Sequence, residues 1–291
     1  MKVSKKYLLQ QGPMLYVVGR TFVQTLLPFL KKSSGDFSGL HTKTVSPPST
    51  DLQEIYKRWT GAEEKRYNGL PPHMLSQFGL SFGLNVLNQL KYPLAKIINQ
   101  GVEIKSHQTL SGHHNIDLET EIISVEEENG RAKVRQKMMI FEKGILCIEV
   151  LLFVSFIIGK KQKTNAKKTQ EEELTYKSIG KWSVQKNAGF EFGVLTGDLN
   201  PLHWVDFIAK ATPFKSTILH GFGMYAKVYE MIQNSLDVNL KVMGVKFIKP
   251  VKLPSSDLEV KVSEERNKDG DFELELLDAE GNKLMVGSYN F

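Results

Sequence analysis

A chain of 291 residues with 41% hydrophobic and 24% charged side chains holds enough apolar material for one large core or two modest ones. Its formal charge of +6 and pI near 9.1 would suit an acidic partner, but no stretch interleaves arginine with aromatics as a nucleic-acid groove does. The single cysteine, Cys147, excludes an internal disulfide and points to a reducing, cytoplasmic setting.

From residue 7 to 30 the chain is apolar but interrupted by Gln10, Gln11, Arg20, Gln24 and Pro28, with no small-residue cleavage site. It reads as an irregular arm packed on the body. Membrane contact is the lesser reading of it, and membrane association is not expected. Residues 33–48, rich in Ser, Gly, Thr and Pro, continue it as a loop, so that 1–48 forms an arm and loop ahead of the first domain.

Residues 49–159 predict a first domain with a helix over 74–90 and strands over 102–110, 116–125, 132–141 and 145–158. The apolar run 144–159 is about sixteen residues long and contains Glu149, too short for a membrane span. Its richness in Val, Ile and Phe predicts a strand buried on both faces. Polar and charged residues then dominate 160–175, with Lys160, Lys161, Lys163, Lys167 and Lys168 in a run that reads as a solvated linker. Residues 176–291 predict a second domain with a helix over 221–235 and strands over 241–251, 257–264, 272–278 and 284–291, punctuated by Pro254, Asp269-Gly270 and Glu280-Gly281.

The two domains resemble each other. Asp117-Leu118-Glu119 recurs 140 residues later as Asp257-Leu258-Glu259, each followed by an acidic stretch and a turn, and Gly101-Val102 has its counterpart in Gly244-Val245. An internal duplication of one α+β fold is expected.

The chemistry concentrates between 194 and 227. Asn200-Pro201 is a helix start, with Asn as cap and Pro at the first helical position, so His203 falls in the first turn and Asp198 on the tight loop before it, next to Gly197. A carboxylate and an imidazole held on one rigid corner suit general acid–base catalysis, although an Asp and a His five residues apart are by themselves also an ordinary capping residue and a surface histidine. His113-His114 lies in an apparent turn without further ligands and reads as surface; Gly221-Phe222-Gly223 is too short for a dinucleotide fingerprint, and no G-x-S-x-G elbow is present. Neither a structural metal nor a redox cofactor is called for.

The string Gly197-Asp198-Leu199-Asn200-Pro201-Leu202-His203 resembles the G-D-x-N-P-[LIV]-H signature of the MaoC-like, R-specific enoyl-thioester hydratases, and His220-Gly221 is similar to that family's second landmark, a His-Gly at the start of the central helix. The resemblance implies a double hotdog, each repeat a long helix wrapped by an antiparallel sheet. It implies that Asp198 and His203 are a catalytic dyad for reversible hydration of a trans-2-enoyl thioester to the (3R)-hydroxyacyl thioester, with the Gly221 amide polarising the thioester carbonyl. Asn200, His220, Phe222 and Tyr225 are the expected substrate-binding residues. The first repeat has Arg58-Trp59-Thr60-Gly61-Ala62-Glu63 where the dyad would fall, and so is expected to be a degenerate half that holds the acyl chain. The implied partner is an acyl-CoA or acyl-carrier-protein thioester, with Lys210, Lys215, Lys246 and Lys249 as candidate phosphate contacts and solvated lysines as their default. The functional unit is a monomer or a homodimer. A non-catalytic acyl-thioester binding protein and a hotdog thioesterase are the competing readings.

Overall fold

In a computed structural model, described over residues 3–31, 39–63, 65–159 and 174–291, ten strands form one continuous antiparallel sheet. The first repeat contributes β1 (His41–Val45), β2 (Ile97–Ser106), β3 (Ile116–Glu128), β4 (Arg131–Glu142) and β5 (Ile145–Ile157). The second contributes β6 (Tyr176–Val184), β7 (Val242–Phe247), β8 (Ser255–Arg266), β9 (Phe272–Leu277) and β10 (Lys283–Asn290). Their order, β1-β3-β4-β5-β2-β7-β10-β9-β8-β6, is the same connectivity read outward in both directions from the centre.

At that centre β2 meets β7 antiparallel, with Val102 opposite Val245, Gly101 opposite Lys246 and Glu103 opposite Gly244. The exchange of partners about the Val102–Val245 pair is what a two-fold axis through that pair produces, as in an isologous interface. Glycine at Gly101 is required by this contact, since a Cβ there would lie 2.2 Å from the Val245 carbonyl oxygen. The Gly-Val doublets noticed in the sequence are thus the seam of the duplication.

The helices follow the same scheme. An N-terminal helix, α1 (Gly12–Leu26), precedes both repeats. Between β1 and β2 come α2 (Thr50–Thr60), α3 (Leu75–Phe78) and α4 (Leu80–Leu87), and between β6 and β7 come α5 (Ala188–Thr196), α6 (Asp206–Lys210) and α7 (Gly221–Leu236). Helices α2 and α5 each end on a glycine in the left-handed region, Gly61 at φ 92° and Gly197 at φ 81°. Such a C-cap glycine turns the chain out of the helix without a Cβ penalty. α7 buries Phe222, Met224, Tyr225, Val228, Tyr229 and Ile232, so it sits in the middle of one core cluster drawn from both repeats.

Four expectations are corrected. The irregular N-terminal arm is helical: Lys5–Gln10 is a 3-10 turn and α1 follows, with Pro13 in its first turn where a missing N–H costs nothing. Met14 and Val17 of α1 are buried with Leu87, Tyr92, Val134 and Phe156 in a second, smaller cluster. The helix over 74–90 is broken into a 3-10 turn (Pro72–Met74), α3 and α4, because Pro71-Pro72 withholds donors at its start and Gly79, pressed against Met138, weakens its middle. The apolar run 144–159 forms β5, but one face is buried and the other only half-covered. Residues 33–48 include β1 rather than loop alone; residues 33–38 of that segment, and the linker over 160–173, lie outside the described residues. Among the described residues no helix is long and apolar enough to cross a membrane.

Candidate active site

The corner between α5 and the 3-10 turn Pro201–His203 is built almost wholly from local hydrogen bonds. The Gly197 N–H donates to the Gly193 carbonyl, closing α5, and the Leu199 N–H donates back to the Gly197 carbonyl at 2.8 Å. The Asn200 N–H reaches Asp198 Oδ1 at 3.4 Å, and Asn200 Oδ1 accepts the Leu202 N–H at 3.1 Å. Asn200 is therefore the predicted cap of the turn. Its side-chain oxygen is committed to the backbone, where it shapes the loop.

This loop is clamped from outside by α1. Gln11 donates its side-chain N–H to the Leu195 carbonyl at 3.0 Å, and a Cβ on Gly197 would lie 2.7 Å from Met14 Cβ and 2.9 Å from Gln11 Cβ. Nothing in the pattern of the sequence signals that the arm packs here, because the contact is between elements nearly two hundred residues apart.

His203 and His220 then come together. Their rings stack at 3.5 Å between centroids with an interplanar angle of 22°. His203 Nδ1 lies 2.8 Å from the Ile218 carbonyl, which can only accept, so Nδ1 carries the proton and the neutral ring presents Nε2 as a base. His220 Nε2 donates to the Asp198 carbonyl at 2.9 Å and stands 3.8 Å from Asp198 Oδ2. Its Nδ1 is buried and without a hydrogen-bond partner among the described residues. Burial lowers the His203 pKa below the ordinary imidazole value, the Asp198 charge opposing it in part. Burial, reinforced by His203, pulls His220 down to about 3. Both rings are neutral near pH 7.

Asp198, whose side chain is 31% exposed, completes the cluster: one ligand-capable atom from each of Asp198, His203 and His220 lies within 4.8 Å of the others. A carboxylate and two imidazoles at that spacing could meet a cation. However, His203 Nδ1 and His220 Nε2 are already committed to backbone carbonyls, and a proton-transfer site makes better use of the basic nitrogen that His203 leaves free.

Gly221 opens the sixteen-residue α7 directly after His220. Its face is lined by Phe247, whose ring would lie 3.0 Å from a Cβ at this position. A helix of this length concentrates positive dipole and free N–H groups at its first turn. Not every predicted residue joins the site. Tyr225 is fully buried and donates its hydroxyl to the Met243 carbonyl at 2.9 Å, and Phe222 packs in the same core cluster. Their apolar spacing along α7 marks the core face of the helix. His220 is brought in, though as the neighbour behind His203 and Asp198. Lys210, Lys215, Lys246 and Lys249 are exposed, and so are His113 and His114.

The first repeat places Gly61, Ala62 and Glu63 at the corner equivalent to Gly197, Asp198 and Leu199, and so lacks the acid–base pair there.

Comparison with known proteins agrees with this picture. Residues 157–280, which take in most of the second repeat, match the family described as MaoC like domain. Among solved structures, HtdX of Mycobacterium tuberculosis is 18% identical with a TM-score of 0.68, covering 86% of this chain and 99% of its own. Full-length peroxisomal multifunctional enzyme type 2 of Drosophila melanogaster is 18% identical with a TM-score of 0.60, and the match covers 92% of this chain and 52% of the fly enzyme. A Mycobacterium tuberculosis protein described as a double hotdog fold is 10% identical with a TM-score of 0.56, over 86% of this chain and 94% of its own. The fold is a double hotdog. No curated protein sequence matches the chain.

Proposed function

We propose, starting from a MaoC-like domain with this corner, that the chain interconverts trans-2-enoyl and (3R)-hydroxyacyl thioesters by adding or removing water, on coenzyme A or an acyl carrier protein, within fatty-acid metabolism of the cytoplasm. The observation that carries the reading is the convergence of Asp198 and His203 with His203 Nε2 as the free base. A water held between the Asp198 carboxylate and that nitrogen loses a proton to the pair as its oxygen bonds to C3 of the enoyl group. The C2–C3 π electrons move toward the thioester carbonyl, whose oxygen takes on enolate charge. The Gly221 N–H at the start of α7 is suited to stabilise that charge. A proton returned to C2 completes the addition, leaving the hydroxyl on C3.

Domain roles follow in the same proposal: residues 176–291 carry the chemistry, and residues 49–159 supply the wall against which the acyl chain lies. The fly neighbour is a multifunctional peroxisomal enzyme, which is compatible with acyl-thioester chemistry on this fold.

The test is the fall in absorbance of the conjugated enoyl-thioester band with crotonyl-CoA and a longer enoyl-CoA. Wild type is expected to give the (R)-3-hydroxy product, and Asp198→Asn and His203→Ala to lose roughly two to four powers of ten in rate. Wild type leaving every substrate unchanged would overturn the proposal in favour of acyl-thioester binding. Release of free acid and thiol would overturn it in favour of a thioesterase.

A further inference from the structure

We propose that the segment from Trp204 to Lys215, beside the dyad, docks an acidic acyl carrier protein; this rests on the hydratase reading and chooses between its two carriers. The segment leaves the site at His203 and returns at Ile218, whose carbonyl holds His203 Nδ1 at 2.8 Å. Within it, α6 is anchored by the buried Ala209 while Phe207 and Lys210 are exposed. Three aromatic side chains stand in solvent: Phe207 is 76% exposed, Trp204 42% and Phe214 36%. Trp204 is fixed there, its ring 5.5 Å from that of Phe190 and its indole N–H donating to the Leu199 carbonyl at 3.2 Å. Large apolar side chains gathered in solvent beside a site mark an interaction surface, and aromatics are enriched at the centres of protein interfaces.

The charge around them is positive. Between Trp204 and His220 the one carboxylate is Asp206, and Lys186 meets it at 2.7 Å. Lys210 and Lys215 are exposed, and among the described residues neither has an ion-pair partner. On the neighbouring segment Lys252 lies opposite Ile218 in an antiparallel bridge; it too is exposed and has no such partner, and residues 241–254 contain no acid. Free cations around exposed aromatics complement a partner face that is apolar at its centre and acidic at its rim. Coenzyme A brings phosphates for the lysines, but its one adenine ring covers one aromatic side chain and leaves the others in water. A second copy of the chain meeting this face across a two-fold axis would set the same lysines against each other.

Phe207, Lys210 and Lys215 are exposed, so substitution there leaves the core intact. Binding of the full-length protein to an immobilised bacterial holo-acyl carrier protein is measured by biolayer interferometry at low and high salt. Wild type is compared with Lys210→Glu/Lys215→Glu, with Phe207→Asp and with Lys105→Glu, an exposed lysine on β2. Wild type and Lys105→Glu are expected to bind equally and to weaken as salt rises, and the other two variants to bind at least about tenfold more weakly. No binding by wild type, or equal binding by all four proteins, overturns the proposal. KM is then measured for crotonyl-CoA and for crotonyl-acyl carrier protein, and its rise in the two weakened variants is expected with the carrier protein alone. An equal rise with crotonyl-CoA overturns the proposal in favour of the coenzyme's phosphates. So does a dimer in light scattering that Phe207→Asp dissolves, since a second copy would then cover the face. Wild type that binds the carrier protein yet hydrates neither thioester refutes the hydratase reading and leaves the docking surface standing; hydration of crotonyl-CoA without carrier-protein binding does the reverse.

Discussion

Replacing Gly197 by alanine separates backbone strain from packing, because Gly61 is its counterpart in the other repeat. Both residues cap a helix at positive φ, 81° and 92°, and both variants incur the left-handed penalty of about 1–2 kcal/mol. Only at Gly197 does the new methyl meet anything: Met14 Cβ at 2.7 Å, Gln11 Cβ at 2.9 Å and Met14 Cγ at 3.1 Å, against open space at Gly61. Two of those atoms are Cβ carbons fixed to the backbone of α1 and of the residue that leads into it, so the helix must move and the overpacking adds about 1–3 kcal/mol. Gly197→Ala is expected to lower the melting temperature by roughly 4–12 °C and Gly61→Ala by about half of that or less. Thermal denaturation followed by circular dichroism measures both. Activity adds a second readout, since displacing the loop that bears Asp198 should reduce kcat/KM at least about tenfold in Gly197→Ala and leave Gly61→Ala near wild type. Equal losses of melting temperature in the two variants would refute the idea that α1 clamps the loop.

Further outcomes follow from the same geometry. Because the active form of His203 is neutral and burial lowers its pKa below the ordinary 6.5, kcat/KM for hydration should rise with pH through a midpoint on the acid side of 6.5 and be flat by neutrality; a midpoint above 6.5 would contradict a buried neutral base. His220 has its folded-state pKa depressed to about 3 from 6.5, so the unfolded chain binds the extra proton: its contribution is fully present above 6.5 and is lost as the pH falls from 6.5 toward 3. The urea midpoint should therefore fall over that window in wild type and fall less in His220→Phe. Tyr225→Phe removes the bond to the Met243 carbonyl and should cost about 1 kcal/mol of stability while leaving the KM for every acyl chain length unchanged; a chain-length-dependent KM would restore Tyr225 to the binding site.

The strands are legible in the sequence because β propensity and turn residues set their limits: the runs beginning at Ile116, Arg131 and Phe272 stand within a residue of where alternation and Gly-containing turns place them. The dyad corner is legible because its geometry is local, with Asn200, Pro201 and Gly197 each acting on a neighbour within four residues. What is hidden is long-range. Tyr225 and Phe222 share a helix with the site glycine, and only the packed sheet distinguishes a core residue from a pocket wall. The role of His220 depends on a stack with His203 seventeen residues away, and the clamp by Gln11 on a contact across the whole chain. The N-terminal helix escapes detection because its apolar residues surround it, so that no single stripe declares an inward face.

The asymmetry between the repeats has a physical reading in the same corner. In the second repeat the carbonyl of Gly197 is satisfied by the next turn of its own loop, the Leu199 N–H, which leaves Asp198 free to face His220 and His203. In the first repeat the end of α2 is satisfied by the other repeat instead: Lys227 of α7 donates to the Trp59 carbonyl at 2.6 Å and Asn234 to the Gly61 carbonyl at 2.9 Å. A cation at a helix C-terminus is favourable, and here it also ties α7 to α2. Beside it, His73 of the first repeat meets Glu230 of α7 at 2.7 Å, both side chains buried, with Tyr67 donating to the same carboxylate oxygen at 2.9 Å. Removing either partner of such a pair would strand a buried polar group, so these positions are held by the joint between repeats. The corner that carries acid–base groups in one copy is therefore committed to inter-repeat hydrogen bonding in the other, and a dyad rebuilt at Ala62 would compete with the contacts that hold α7, and with it Gly221, in place.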